Sequence, residues 1–324
     1  MSYWKKFKKK YMGDRAFYRH YLLLAVPMIL QNAITNLVSF LDNIMVGQLG
    51  TEQMSGVAIV NQLIFVYNLA IFGAVSAASI FGAQYFGNGD HRGHMHSFRF
   101  KLYATLLVSG LTMLLLLTKG SNLISLYLTD TAGNGATDVA LQYGKQYLVI
   151  MLVGLVPFAV NQAYATNIKE TGQTLVPMLA SFVAVGTNAV LDYLLIFGVG
   201  PFPELGVTGA ALATVIARYV EAVIVVFWAH RNREKNRYLE GAYRGFGIPV
   251  SELKTVLIKG LPLMFNEVLW AAGMTTVTQC YSVRGLDVVA GLNIATTITN
   301  LFNIVYIQLG AVSYTHLTLP TNSL

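Results

Sequence analysis

From residue 21 to residue 312 the chain alternates long apolar runs with short polar breaks. Eight runs, near 21–47, 54–85, 100–118, 139–166, 175–198, 206–229, 255–283 and 287–312, reach the roughly 20 mainly apolar residues that a helix needs to cross a bilayer. The breaks "GQLGTEQ", "GNGDHRGH", "TDTAGNGATD", "KETGQT" and "GVGPFPELG" are short and turn-like, and only the stretch from His230 to Pro249 is long and charged. The pattern predicts an all-α integral membrane protein of eight spans.

A second regularity lies above the spans. The segment beginning "VPMILQNAITNLVSFLDNIMVGQLG" at Val26 superposes without a gap on the segment beginning "LPLMFNEVLWAAGMTTVTQCYSVRG" at Leu261. Pro27 then meets Pro262, Gly50 meets Gly285, Gly56 meets Gly291 and Asn68 meets Asn303. An even number of spans separates the copies, so both cross the membrane in the same direction, as in parallel-repeat transporters. The expected organisation is a basic N-terminus (1–20), a six-helix N-lobe (21–230), an inter-lobe loop (231–250) and the first two helices of a second, incomplete lobe (251–312). The repeat fades at about Ser313, and residues 313–324 are read as a non-native tail from truncation or frame change, with a divergent natural ending as the alternative.

Composition narrows the class. The chain is 55% hydrophobic and 11% charged, with a mean hydropathy of +0.54, which leaves too few charges to cover a water-soluble exterior. The net charge of +7 does not indicate nucleic acid, because Lys and Arg flank the spans instead of interleaving with aromatics. With the N-terminus in the cytoplasm, all of the 22 Lys and Arg except Lys119, Lys145, Arg218 and Arg284 fall on the inner side, so the positive-inside rule places it there. The localisation expected is the cell membrane, and the basic start followed by a long apolar run is a retained first span, not a cleaved signal. Cys280 is the single cysteine and has no partner for an intrachain disulfide.

The polar residues inside the spans carry the candidate chemistry. In the first span Gln31, Thr35, Ser39 and Asp42 fall on one helical stripe, widened by Asn32, Asn36 and Asn43. Such a stripe must face protein or water. In the fifth span Asn188 and Asp192 are one turn apart, and Thr214 in the sixth lies at the same expected depth as Asp42 and Asp192. Two acids, an amide and a hydroxyl at one level make an oxygen-rich site for a proton or a hard cation such as Na+. Gln31, Thr35, Asn36, Asn68 and, in the seventh span, Glu267 are expected to line the path of substrate or ion. Pro27 and Pro262 are expected kinks. Arg218 and Glu221, three apart, are expected to neutralise each other, and His91, His94 and His96 are expected to be solvated loop residues. No phosphate-cradling glycine loop, catalytic triad or paired metal-ligand helix is present, so no catalytic residue, cofactor or metal beyond Na+ is expected.

The segments "VPMILQNAITNLVSFLDNIMVGQLG", "NIKETGQTLVPMLASFVAVGTNAVLDYLLIFG", "GVTGAALATVIAR" and "GLPLMFNEVLW", in that order, resemble the multidrug and toxic compound extrusion (MATE) transporters. The resemblance covers residues from about 15 to 312. It implies two six-helix lobes around a central cavity and export of organic, often cationic, compounds in exchange for H+ or Na+. It also implies that Asp42, Asn188, Asp192 and Thr214 form an N-lobe cation site, with Asn161 the nearest match to a further amide ligand, and that Glu267 matches an acid of the C-lobe. The partners implied are a small organic cation and the lipid bilayer; no nucleic acid is expected, and a monomer is the expected state, with the sequence leaving oligomerisation open. The alternatives are a flippase for lipid-linked precursors, which would place basic residues in the cavity, and a non-transporting remnant.

Overall fold

The computed structural model describes residues 15–125, 136–244 and 247–282, and scattered positions between 299 and 310. Eight α-helices account for most of them: α1 Arg15–Gly47, α2 Thr51–Gly87, α3 His91–Ser125, α4 Ala136–Val153, α5 Leu155–Glu170, α6 Leu175–Phe197, α7 Val207–Arg231 and α8 Val250–Ser282. A 3-10 turn, Arg237–Leu239, lies between α7 and α8. Among the described residues, α2, α3, α6 and α7 are each long and apolar enough to span a membrane, and α4 with α5 adds a fifth, broken span. Most of the eighth expected run, and all of 313–324, lie outside the described residues.

The bundle closes as a ring. α1 packs on α6 and more lightly on α2, α6 on α7, α7 on α4 and α5, and α2 on α3 and α4. α8 leans against α2, where Gly260 meets Ala77. Because α1, α3, α6 and α8 start at the end that carries the N-terminus, that end is called near and the opposite one far. Two apolar cores stack along the axis. The larger is built on Val46, Val60, Ile64, Ile71, Met151, Leu155 and Ile196, and the smaller near-end core on Phe98, Tyr164, Ile168, Val225, Tyr238 and Leu239. Large apolar side chains such as Leu107, Leu114, Val149, Val190 and Phe227 point outward, the exterior expected of a surface solvated by lipid.

One predicted span is corrected. The run 139–166 is not a single helix, because α4 and α5 meet at Gly154 with a bend of 44°. The cause is Pro157, which has no N–H to offer the Val153 carbonyl and sits where proline is tolerated, in the first turn of a new helix. The break is not left bare: Arg218 Nη1 donates to the Gly154 carbonyl at 3.3 Å and Tyr67 Oη to the Leu155 carbonyl at 2.8 Å.

Close helix approach explains one of the repeat-matched glycines. A Cβ on Gly56 would meet the Ala140 carbonyl and lie 2.8 Å from the Gly144 nitrogen, so α2 and α4 touch through backbone. Gly56→Val is therefore expected to destabilise the lobe by about 1–3 kcal/mol, the usual cost of overpacking. Thermal unfolding in detergent checks this, with Gly110→Val, where the added carbon meets open space, as the control that should hold its melting point.

Candidate functional site

The far half of the bundle brings two carboxyls together. Asp42 sits five residues before the end of α1 and Asp192 five before the end of α6, so a rise of about 1.5 Å per residue puts each roughly 7–8 Å below its helix end. Since α1 and α6 pack side by side, equal depth becomes proximity, and the two carboxyls interact electrostatically and within hydrogen-bonding reach. Asn188, one turn before Asp192, faces the same acid. Asp192 is fully buried and Asn188 nearly so. Even so, Asp42 Oδ1, both oxygens of Asp192 and the Asn188 amide nitrogen have no hydrogen-bond partner of normal geometry. Buried polar atoms without partners are rare and costly, so the arrangement is suited to receiving a cation or a shared proton.

Tyr147 on α4 borders this pair and was not anticipated from the sequence. It feels the charges of Asp42, Asp192 and Arg218, and its hydroxyl donates to Asn61 Oδ1 on α2 at 3.2 Å. Its place in an apolar run gave no signal; only a tyrosine hydroxyl, which needs a partner when buried, could have flagged it. Thr214 stands at the expected depth on α7, but its hydroxyl donates to the Ala210 carbonyl of its own helix at 3.0 Å. It keeps lone pairs for a cation and no proton for the acids. Asn161 is buried on α5 with Oδ1 unpartnered, and none of the described hydrogen bonds carries it to the acid pair.

The expected path residues divide. Gln31 donates to Ser181 Oγ on α6 at 2.7 Å, and Asn36 is exposed, with its amide turned back to the Asn32 carbonyl at 2.8 Å. Asn68 on α2 is half-buried with Oδ1 unpartnered. The side chains of Thr35 and Glu267 lie outside the described residues. Pro27 is buried inside α1 and Pro262 is exposed inside α8; each removes one backbone donor, at the carbonyls of Leu23 and Ile258, without ending its helix.

One expectation fails at the near end and another at the middle of the bundle. His94 is 2% exposed, not solvated: its Nε2 lies 3.3 Å from Glu170 Oε2, and Lys101, with no exposed surface, bonds the other oxygen of Glu170. His96 pairs instead with Glu252 at 2.8 Å, and His91 receives Arg237, so the three histidines diverge. The reason is that α3 begins at His91, and helical spacing turns His94, Ser97 and Lys101 inward on one stripe. Arg99, also buried, donates to the carbonyls of Gly241, Ala242, Arg244 and Gly247, fixing the charged loop against α3. Arg218 and Glu221 make no close ion pair: Arg218 is held at the α4–α5 break and stacks over Phe158, while Glu221 accepts a bond from Ser181.

A ring of membrane-length helices with an interior pair of acids, one buried and one half-buried, belongs to the class of polytopic helical membrane proteins that carry an interior charge site. The MatE family model matches residues 27–194, and the chain belongs to the MATE family. It is similar to the probable multidrug resistance protein NorM of Thermotoga maritima, 25% identical over 280 residues, covering 86% of this chain and 58% of that protein. The NorM of Bacillus subtilis is 25% identical over 293 residues, covering 89% and 63%. The chain thus spans a little under two thirds of the length of these relatives. Among solved structures, an outward-facing multidrug resistance MATE transporter superposes with a TM-score of 0.79 at 22% identity, covering 94% of this chain and 65% of that one. A transporter of the MOP superfamily from Pyrococcus furiosus, described as having a binding pocket of reverse polarity, gives 0.74 at 21% identity, covering 91% and 63%.

Proposed function

We propose that this chain forms the ion-coupling lobe of a secondary antiporter that exports organic cations in exchange for H+ or Na+, with its N-terminus in the cytoplasm. It is a transporter and not an enzyme, and it needs no cofactor. The observation that carries this reading is the facing pair Asp42 and Asp192, with carboxyl oxygens left unpartnered between α1 and α6 in the far half of the bundle. Names of relatives support the substrate class, since the NorM proteins are described as multidrug resistance proteins.

The cycle follows from linkage. A cation arriving from outside is taken by Asp42 and Asp192, with the Asn188 and Thr214 oxygens available to complete an oxygen shell for Na+. Asn161 and Asn68 supply further free carbonyl oxygens elsewhere in the lobe interior. Neutralising the acids changes the packing of α1, the helix that lacks one backbone hydrogen bond at Pro27, and lowers the affinity of the cavity for its cationic cargo. The ion can drive export only through such a difference in affinity between two states. Arg218, the basic residue offered for the flippase alternative, donates to the Gly154 carbonyl at the α4–α5 break.

Cation binding to the purified chain in lipid nanodiscs tests this directly. Wild type is expected either to retain radioactive sodium or to take up protons when the pH falls, and Asp192→Asn to lose at least about tenfold in that affinity, as expected when one of two anionic ligands of a buried site is removed. Equal uptake by wild type and variant would sink the reading.

A further inference from the structure

The near end of the lobe holds a cavity of about 350 Å³ that has no part in the cycle above. It lies where two spans terminate: Phe86 comes from the last turn of α2, and Thr171 and Gln173 come from the turn that leads into α6. His91, the first residue of α3, forms one side, and Lys235, Arg237 and Tyr238 of the charged loop form the other. Apolar exterior begins directly beside it, since Phe86 is 38% exposed and Leu175, the first residue of α6, is 54% exposed. The cavity therefore sits at the depth where a lipid-facing surface gives way to polar loop, the depth of phospholipid head groups.

The side chains that line it select an anion. Lys235 and Arg237 are exposed and enter no ion pair among the described residues. Arg237 Nη1 lies 3.5 Å from His91 Nε2. A guanidinium only donates, so His91 accepts there and keeps its proton on Nδ1, which becomes a further donor. Tyr238 is 1% exposed, and its hydroxyl has no hydrogen-bond partner, an uncommon and costly state for a buried polar group. α6 begins beside the cavity with no side-chain cap, which leaves the backbone N–H groups of its first turn to an anion. The neighbouring charges are committed elsewhere: Lys101 and His94 to Glu170, Arg99 to four loop carbonyls, and Asp90 to the backbone N–H groups of Arg92 and Gly93. Glu234 is the acid among the lining residues, so with neutral histidines two cations against one acid leave a charge of +1. That balance repels a metal ion and matches a singly charged phosphodiester better than a doubly charged free phosphate.

We propose that this cavity binds the phosphate of an anionic phospholipid from the adjoining leaflet. Lys235, Arg237 and His91 hold the phosphodiester oxygens, and the apolar part of the lipid leaves past Phe86 and Leu175. The binding is ionic and hydrogen-bonded, and it does not depend on the antiporter reading. A bound lipid ties the Lys235–Tyr238 stretch to the ends of α2 and α3 and to the turn before α6. Arg99 already fixes the following stretch, 241–247, against α3, so the charged loop is anchored at two places. Free inorganic phosphate offers the same oxygens and is the other source of this chemistry, without the apolar part that Phe86 and Leu175 meet.

Native mass spectrometry of the chain released from detergent micelles counts the ligands it retains. The probes, added separately, are dioleoyl phosphatidylglycerol, dioleoyl phosphatidylcholine and inorganic phosphate. Wild type is expected to hold one phosphatidylglycerol, at least about tenfold more tightly than phosphatidylcholine, whose own cation cancels the charge of its phosphate. Lys235→Gln combined with Arg237→Gln should weaken phosphatidylglycerol binding at least about fivefold, through the loss of two charge-assisted hydrogen bonds. Both side chains are exposed, so the melting temperature in detergent should hold. Arg231→Gln combined with Arg233→Gln removes the same charge just outside the cavity and should bind as wild type does. Equal losses in the two double variants, or no loss in the first, would overturn the proposal. One inorganic phosphate per chain, lost in the first double variant, with phosphatidylglycerol held no better than phosphatidylcholine, would overturn the lipid as the source and keep the phosphate site.

Discussion

Lys101→Met is expected to cost the folded lobe about 3–5 kcal/mol, the usual penalty for breaking a buried ion pair from one side. Lys101 and Glu170 are both buried, at 0% and 2% exposure, and Glu170 sits at the end of α5, just before the turn into α6. Without Lys101 the carboxylate keeps, among the described residues' ion pairs, the His94 contact at 3.3 Å. At 2% exposure the carboxylate has little access to solvent that could replace the ammonium. The second variant decides between a charge effect and lost packing: Lys101→Met combined with Glu170→Leu removes both charges and should recover most of the melting temperature, because a buried pair exchanged for apolar groups is often close to neutral. Thermal unfolding in detergent, followed by size-exclusion for aggregation, gives both numbers. Equal melting points for wild type and Lys101→Met would show that the pair contributes nothing to stability.

The second large effect concerns transport. In a version of the chain continued by the C-terminal half of a NorM relative, Asp42→Asn is expected to reduce ion-driven efflux to the leak level while leaving expression unchanged. On the antiporter reading, each charge carried inward across 100 mV supplies about 2.3 kcal/mol, enough to sustain about a fifty-fold gradient of cargo, and that drive passes through the acid proposed to take the ion. The amide keeps the size and a hydrogen-bonding group but cannot be neutralised and re-ionised. Efflux measured under separately imposed pH and sodium gradients identifies the ion through which gradient is lost in the variant. Preserved efflux under both gradients would leave Asp42 as a structural group.

Much of this was legible in the chain because helices have a fixed rise and period. Depth along a span follows from counting residues, and so Asp42, Asp192 and Thr214 could be set at one level before any packing was known. Face follows from the period, which grouped Gln31 with Asp42 and Asn188 with Asp192. The histidines mislead because the sequence around His91 reads as a loop, whereas α3 starts there and one turn of helix converts a solvated "DHRGHMHS" into an inward stripe. The bend at Gly154 hid for a similar reason: the apolar run is continuous, and the break depends on a single missing donor at Pro157.

Sequence by itself determined the solvent of this protein, its helical class, the depth of its acids and its likeness to the MATE family. Tertiary structure decided the partners: Lys101 with Glu170, Arg218 with the Gly154 carbonyl, Glu221 with Ser181, and Asp42 beside Asp192. The reason is geometric. Rise and period are properties of one helix, whereas the rotation of each helix about its axis is set jointly by every neighbour in the ring, and that rotation chooses which charges meet.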